Sequence, residues 1–521
     1  MTLHGWLRST MAAAFFWGLL GCSGGDRGSS APAVPLGNQK LMVVVVVIDS
    51  LMPEEITPVL TNLSRLKAEG TFYPESRAVF SAETLPNHVA MMTGVYLSRN
   101  GVAANSFLDF DADGGPQVRD LSLPEKLKAS TLFTWIKRSC RDTRINPALR
   151  DGATLSKKYL YEIFRGDGDD PLRGNDDPDV FNEAPDTSWD PQTSPLYISA
   201  GGANFAPDVA TMQAALSQLP DADFLFINLG DTDRAAHIFG QAERSVSLPD
   251  TDFQVGRLIQ ALQDAGRWER TVLFLVSDHG MDFTLPGPLD AITVQPTLDQ
   301  LGNCFAPMQA VQNGGVEAIY VSDRSRSIAD QQLALRAARA CFVGVGPCDG
   351  LCAGATSPSS ASGIDAAWYT ATDPLDTAGN LPSSLDSGAP SLGGLVLNAK
   401  AGFKFSDPSS SSNPLPGNHG HVATLRSTMI VSGGSPWVKK GVVIAPSLSN
   451  PRPLDRLPEQ AETVDVAPTV AWLLGLDLRP EQFPDYATRG RGFDGRVLRE
   501  AFVQFDDDAN AASPTVCGRY D

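Results

Sequence analysis

The sequence predicts an α/β fold: a mostly parallel central sheet sandwiched by helices, with inserted loop or cap regions. Three observations predict it. Short aliphatic runs lack the alternation of a half-exposed strand, which is the pattern of strands buried on both faces. Helical stretches lie between these runs. Acidic residues follow three of the runs at once, at the edge where open α/β sheets bind ligands.

The elements can be taken in order. Leu41–Ile48 is the first run and stops at Asp49. Thr57–Ala68 reads as a helix, with Pro58 in the first turn and Gly70 past its end. Pro86 marks the first turn of a second helix, which continues through Val89–Met92 to Gly94. Phe224–Leu229 is an apolar run that stops before Asp231 and Asp233, and Phe253–Ala265 is helical. Thr271–Val276 stops at Ser277-Asp278-His279. Val464–Thr469 leads into a closing helix through Leu474, ended by Gly475. Two stretches crowded with Gly, Pro, Asp and Ser, 166–190 and 348–416, read as inserted surface loops or cap elements. With 521 residues the chain has room for two to four domains, yet it shows no internal repeat. The expected division is one catalytic domain over 39–505 and a tail over 506–521.

A net charge of −19 argues against a nucleic-acid scaffold, which needs clustered Lys and Arg. It does not exclude a small phosphorylated substrate, because bound metal can supply the local positive charge. The N-terminus reads as a processing signal, residues 1–22. Arg8 precedes Met11–Leu20, an apolar run too short to span a bilayer. Leu19-Leu20-Gly21-Cys22 resembles a bacterial lipobox, with Cys22 as the lipidated first residue of the mature chain. A Gly/Ser/Pro-rich flexible tether, 23–38, would follow. The expected location is the bacterial cell envelope, held to the membrane by the lipid. The other six cysteines are then expected in disulfides, with Cys341, Cys348 and Cys352 marking a stapled loop.

The histidines carry the chemistry. Of six, His4 lies in the signal, and the other five stand beside carboxylates, glycines or turn residues. Asp233 and His237 have the i, i+4 spacing that places both on one helical face. Asp278-His279 follows a buried run directly, and Gly417-Asn418-His419-Gly420-His421 forms a loop. With Asp49, these residues supply six oxygen and nitrogen ligands, enough for two divalent ions such as Zn²⁺ or Mn²⁺. Thr84, in Glu83-Thr84-Leu85-Pro86-Asn87-His88, is the candidate nucleophile. It sits at a helix start, where backbone N–H groups favour an anionic phosphoryl group. Its plainer reading is a helix N-cap.

These motifs together resemble the alkaline phosphatase superfamily, and within it the type I phosphodiesterase/nucleotide pyrophosphatase family. The resemblance rests on Thr84-Leu85-Pro86-Asn87-His88, Thr93-Gly94-Val95-Tyr96, Gly101-Val102-Ala103-Ala104-Asn105 and Ser277-Asp278-His279-Gly280-Met281. It implies one metal on Asp233, His237 and His419, and a second on Asp49, Thr84, Asp278 and His279. It implies that Asn105 donates to a non-bridging phosphate oxygen and that His88 is structural. The Gly-x-His-Gly pattern favours His419 over His421, and the spacing to His237 favours Asp233 over Asp231. The implied reaction is a double displacement through a phosphorylated Thr84, with two Zn²⁺ ions as cofactors and a nucleotide or other phosphodiester as substrate.

Rivals share this fold, among them cofactor-independent phosphoglycerate mutases, which use Ser and work in the cytoplasm, so the export signal opposes them. A sulfatase needs a Cys or Ser and an Arg that the Thr84 stretch lacks. Threonine-type phosphomonoesterases place a Lys-x-Arg pair on the terminal phosphate, whereas this chain has Lys157-Lys158-Tyr159. Lys157 is therefore the substrate-binding candidate, although adjacent lysines more often form a solvated surface pair. The missing arginine removes a clamp for a dianion and favours diesters. Phosphonate hydrolysis is a further rival. A retired fold acting only as a surface-binding lipoprotein would show a lost ligand or nucleophile, and none is lost.

Overall fold

The β-branched run after residue 41 does what its composition dictates. Strand β1 (Met42–Ile48) is buried over its whole length and lies at the centre of an eight-stranded sheet. The computed structural model describes residues 41–139, 141–142, 149–165, 176–182, 206–284, 291–344, 348–386, 388–406, 417–446, 457, 460–478, 492–503 and 515–516. Cys22, the 23–38 tether, Cys140, Cys517, most of the 166–190 insertion and most of the 506–521 tail lie outside the described residues. Every described residue belongs to one compact unit, Leu36–Asp521.

The other strands of the large sheet are β2 (Thr71–Tyr73), β3 (Asp151–Leu155), β4 (Val180–Asn182), β5 (Phe224–Leu229), β6 (Thr271–Val276), β7 (Met429–Ser432) and β8 (Val442–Val443). Their order is β8-β2-β7-β6-β1-β5-β3-β4. All pairings are parallel except those of β7 with β6 and β2. This is the mostly parallel sheet that the sequence predicts.

Because successive side chains point to opposite faces, β1 feeds two separate cores. Val43, Val45 and Val47 pack with the helices α2 (Thr84–Thr93), α3 (Lys158–Phe164) and α7 (Val466–Leu473). Met42, Val44, Val46 and Ile48 pack with α1 (Thr61–Glu69), α4 (Asp208–Gln218) and α6 (Gln241–Asp264) on the other face. The helix α5 (Asp231–Phe239) follows β5 after a single glycine and packs against α6.

Helix α1 begins four residues later than Pro58 had suggested, and the cause is tertiary. The Asp252 carboxylate of α6 accepts from the backbone N–H of Leu63 at 2.8 Å and of Asn62 at 3.3 Å. A distant side chain thus caps the helix, an arrangement that local spacing does not reveal.

The 348–416 stretch is more than surface loop. It contributes strands Ile364–Tyr369 and Leu395–Ala399 to a four-stranded antiparallel sheet with Met308–Asn313 and Val316–Val321. These strands are short and stand among Gly, Ser and Pro, so composition hides them. Disulfides Cys304–Cys352 and Cys341–Cys348 fasten the neighbouring helices of this sheet's core. The Gly314-Gly315 turn reaches the loop that carries His419, where Gly315 N–H donates to His419 C=O at 2.7 Å.

Asp252→Ala is expected to lower stability by about 0.5–2 kcal/mol, the usual cost of a lost helix cap. Urea unfolding measures it, and an unchanged midpoint would show that the cap is idle.

Candidate metal centre

Three adjacent strands, β5, β1 and β6, end side by side, and each delivers an acidic residue to the same edge. Asp49 follows β1, Asp278 lies two residues past β6, and Asp233 stands in the first turn of α5 after β5. All three are buried. The i, i+4 partner His237 lies on the same face of α5, with Nε2 3.5 Å from Asp233 Oδ1. Gly420, at φ 109°, allows the return loop to lie against Asn313 C=O, where a Cβ would come within 2.7 Å. That approach brings His419 Nε2 to 3.0 Å from His237 Nε2.

The three histidines share one tautomeric logic. His237 Nδ1 faces Gly417 C=O at 3.1 Å, His419 Nδ1 faces Ala82 C=O at 3.0 Å, and His279 Nδ1 faces Gly280 C=O at 2.9 Å. An Nδ1–H donated to a carbonyl leaves Nε2 as a lone pair, the arrangement of metal-ligating histidines. Burial holds His237 and His419 below the ordinary imidazole range, which keeps those lone pairs free at neutral pH.

The residues fit two divalent cations. Ligand atoms of Asp233, His237 and His419 converge within 4.8 Å of one another, as do carboxylate oxygens of Asp49 and Asp278, with His279 Nε2 3.2 Å from Asp278 Oδ2. Asp233 Oδ1 and Asp278 Oδ2 are buried without a hydrogen-bond partner among the described residues. Burial and the nearby Asp278 charge push Asp49 well above its usual carboxylate range. Asp278 in turn raises His279 to about 9 against its burial, so Asp49 and His279 hold protons that a bound metal would displace.

Each predicted residue can now be placed. Thr84 is the first residue of α2 rather than its cap, which is Glu83. Its Oγ1 lies 3.3 Å from His279 Nε2. Both nitrogens of His88 are engaged, with Thr84 C=O at 2.9 Å and Asn228 Nδ2 at 3.0 Å, so its ring has no lone pair to offer an ion. His279 is therefore the imidazole that faces the Thr84 hydroxyl. His421 turns away to Asp282 Oδ2 at 3.2 Å. Asp231 also turns away, accepting from Asp208 N–H at 2.9 Å. Asn105 Oδ1 accepts from Leu85 N–H at 2.9 Å, so the end it can offer a ligand is its –NH₂.

Lys157 is not a surface lysine. It is buried, with Nζ 2.7 Å from Asp49 Oδ2, 3.0 Å from Asp233 Oδ2 and 3.1 Å from Thr84 Oγ1. Burial would strip its proton, but Asp233 and Asp49 hold its pKa well above the ordinary value. The exposed member of the pair is Lys158, which meets Glu162 at 3.7 Å. Adjacent residues at the start of a helix point in different directions, and the sequence alone did not say which pointed inward.

Three further residues stand at the site, of which the sequence singles out only Tyr159, in the place of an arginine. Asn228 interrupts the apolar β5 and donates to Asp49 Oδ1 at 2.5 Å, and a lone polar residue in a buried strand was the available signal. Tyr159 directs its hydroxyl toward Thr84. Glu83 is pushed up to about 7 by burial and accepts from the backbone N–H of Asn105. Beside Asn105 lies a cavity of about 640 Å³ lined by Ser106, Arg119, Ser122, Leu123, Glu162 and Arg165.

The sheet and site define an alkaline-phosphatase-like α/β domain with paired metal-ligand clusters around a threonine hydroxyl. The type I phosphodiesterase / nucleotide pyrophosphatase family pattern matches residues 43–421, and the chain belongs to that family. Among its relatives, a bis(5'-adenosyl)-triphosphatase of Xenopus laevis is 24% identical over 226 residues, 43% of each chain. Ectonucleotide pyrophosphatase/phosphodiesterase 1 of Saccharomyces cerevisiae is 23% identical over 308 residues, 54% of this chain and 40% of the yeast protein. The chain thus matches less than half the length of these two relatives. Murine ectonucleotide pyrophosphatase / phosphodiesterase 5, solved as an inactive form in complex with AMP, superposes with a TM-score of 0.58 at 15% identity. That match covers 89% of this chain and all of the murine one.

Metal-stripped protein titrated with Zn²⁺ is expected to take up two ions. His237→Ala should lower uptake to one, read by equilibrium dialysis, and undiminished uptake would remove His237 from the ligand set.

Proposed function

We propose that the chain is a phosphodiesterase/nucleotide pyrophosphatase that uses two Zn²⁺ ions and forms a covalent intermediate on Thr84. The observation that carries this reading is the position of Thr84 Oγ1, between His279 Nε2 at 3.3 Å and Lys157 Nζ at 3.1 Å, where the two ligand clusters meet. Asp233, His237 and His419 would hold one ion, and Asp49, Asp278, His279 and Thr84 the other. Bound there, such ions supply Lewis acidity that lowers the pKa of a coordinated hydroxyl and neutralises charge on phosphate oxygens.

The protein's own residues do the remaining work. Thr84 Oγ attacks phosphorus in line; its bond to phosphorus forms as the bond to one ester oxygen breaks, and an alcohol or phosphate departs. Water then attacks the same phosphorus, releases the phosphomonoester and returns the proton to Thr84. The Asn105 –NH₂ would hold a non-bridging oxygen as charge builds. The three N–H groups of Lys157 already face Asp49, Asp233 and Thr84, so its ammonium would act by orienting those groups and by its charge. The hydroxyl is otherwise a weak nucleophile, which is why it needs this setting.

The retained ester group supports a diester over a monoester. Glu162 stands three residues beyond Tyr159 on α3, and Ser106 follows Asn105, which supports the cavity they line as the place of the retained ester group. Its charged lining, Arg119 and Arg165 with Asp120 and Glu162, offers both donors and acceptors to the polar half of a nucleotide. Tyr159 offers one neutral hydroxyl where a monoesterase offers a guanidinium, and a dianion gains little from it. The AMP bound by the murine neighbour supports a nucleotide substrate. The lipobox-like stretch ending at Cys22 and the two disulfides support an exported, lipid-anchored enzyme of the cell envelope.

Thr84→Ala should lower kcat/KM for bis(4-nitrophenyl) phosphate by at least about 1000-fold while leaving the fold intact. An unaffected rate would sink the mechanism. Tyr159→Arg should raise the ratio of 4-nitrophenyl phosphate to diester turnover about tenfold or more, the worth of one charge-assisted hydrogen bond. A wild-type preference for the monoester would reverse the substrate assignment.

A further inference from the structure

Arg244 is fully buried in α6, away from the phosphoryl position, and every N–H of its guanidinium has an acceptor. Nε donates to Glu55 Oε1 at 2.5 Å and Nη2 to Glu55 Oε2 at 2.7 Å. Nη1 donates to Ser50 Oγ at 2.8 Å and to Thr232 C=O at 3.1 Å, and Nη2 also donates to Ser50 C=O. The acceptors are not scattered. Ser50 follows Asp49 and Thr232 precedes Asp233, so one side chain grips the neighbours of a carboxylate from each ligand cluster.

Two more bonds close this frame. Ser50 N–H donates to Asp278 Oδ1 at 3.0 Å, and Thr232 Oγ1 donates to Asp49 C=O at 2.7 Å. Ser50 itself is held at φ 61°, a left-handed conformation uncommon for a residue with a side chain. Such a conformation persists only where the surroundings over-determine it. Arg244 supplies two of those constraints, at Ser50 Oγ and Ser50 C=O. Released from them, Ser50 has a lower-energy extended conformation, and Asp49 would move with it. The Glu55 carboxylate offsets the guanidinium charge at close range, so the pair acts on the site through geometry rather than through its field.

We propose that Arg244 is a positioning residue that fixes the spacing of the two metal-ligand clusters by clamping Ser50 to Thr232. This goes beyond the proposed function, while resting on its two-ion site. A lysine keeps the charge but has no planar fork and cannot serve two backbone segments and a bidentate carboxylate together.

The test is made on the full chain with Zn²⁺ as the probe. R244K should weaken zinc affinity roughly 10- to 100-fold, the range seen when residues behind metal ligands are changed. The visible absorption bands of its Co²⁺ form should shift, reporting altered ligand geometry. Unfolding of the metal-free variant should stay cooperative. Glu55→Gln, which leaves the guanidinium in place with a weaker anchor, should show a smaller change in the same direction, and it decides the matter if R244K does not fold. Wild-type zinc affinity and Co²⁺ bands in the folded variants would overturn the proposal, even if their melting temperatures fell. Wild-type protein that binds no zinc would overturn the two-ion reading, and this proposal with it.

Discussion

Mutual repulsion among Asp49, Asp233 and Asp278 is the constraint around which the site is organised. Each carboxylate is buried, and Lys157 is the ammonium that touches two of them. Charges withdrawn from water must be paired or neutralised. Here part of the answer is internal. Lys157 draws Asp233 well below the usual carboxylate range although burial alone would raise it. Asp49 shows the other part, since burial and Asp278 push it upward. The donor set is thus poised for cations, which would displace the protons that Asp49 and His279 hold.

The sheet makes that poise affordable. Parallel strands bring their carboxyl ends to one edge, and β5, β1 and β6 are immediate neighbours in the sheet. Two cores grip the faces of these strands, so the acidic residues emerge from strands packed on both sides. The remaining parts of the site come from loops that the antiparallel sheet supports: Asn313 Oδ1 accepts from Ser106 N–H at 2.8 Å, and Gly315 bonds the His419 loop. What reads as an insertion thereby joins the segment after Asn105 to the segment carrying His419.

Much of this was legible in the residues, for identifiable reasons. β1 could be read because five consecutive valines admit few alternatives to a doubly buried strand. Asp233 and His237 could be read because helical periodicity is local. Other features were set by long-range contacts. The true start of α1 depends on Asp252, 189 residues away from Leu63. The inward turn of Lys157 depends on where α3 docks over the strand ends. Asn228 was visible as an irregularity in β5, but its role became clear only when Asp49 was seen beside it. The strands within 348–416 were hidden because short strands among turn residues carry weak periodicity. Residues whose task is set by neighbours in sequence were legible, and those whose task is set by neighbours in space were not.

The central claim is that phosphoryl transfer passes through Thr84 rather than directly to water. The steric course at phosphorus tests it most directly, using a phosphodiester made chiral at phosphorus with sulfur and hydrolysed in isotopically labelled water. Two in-line displacements, first by Thr84 and then by water, predict net retention of configuration. Net inversion would mean a single displacement by water and would contradict the account.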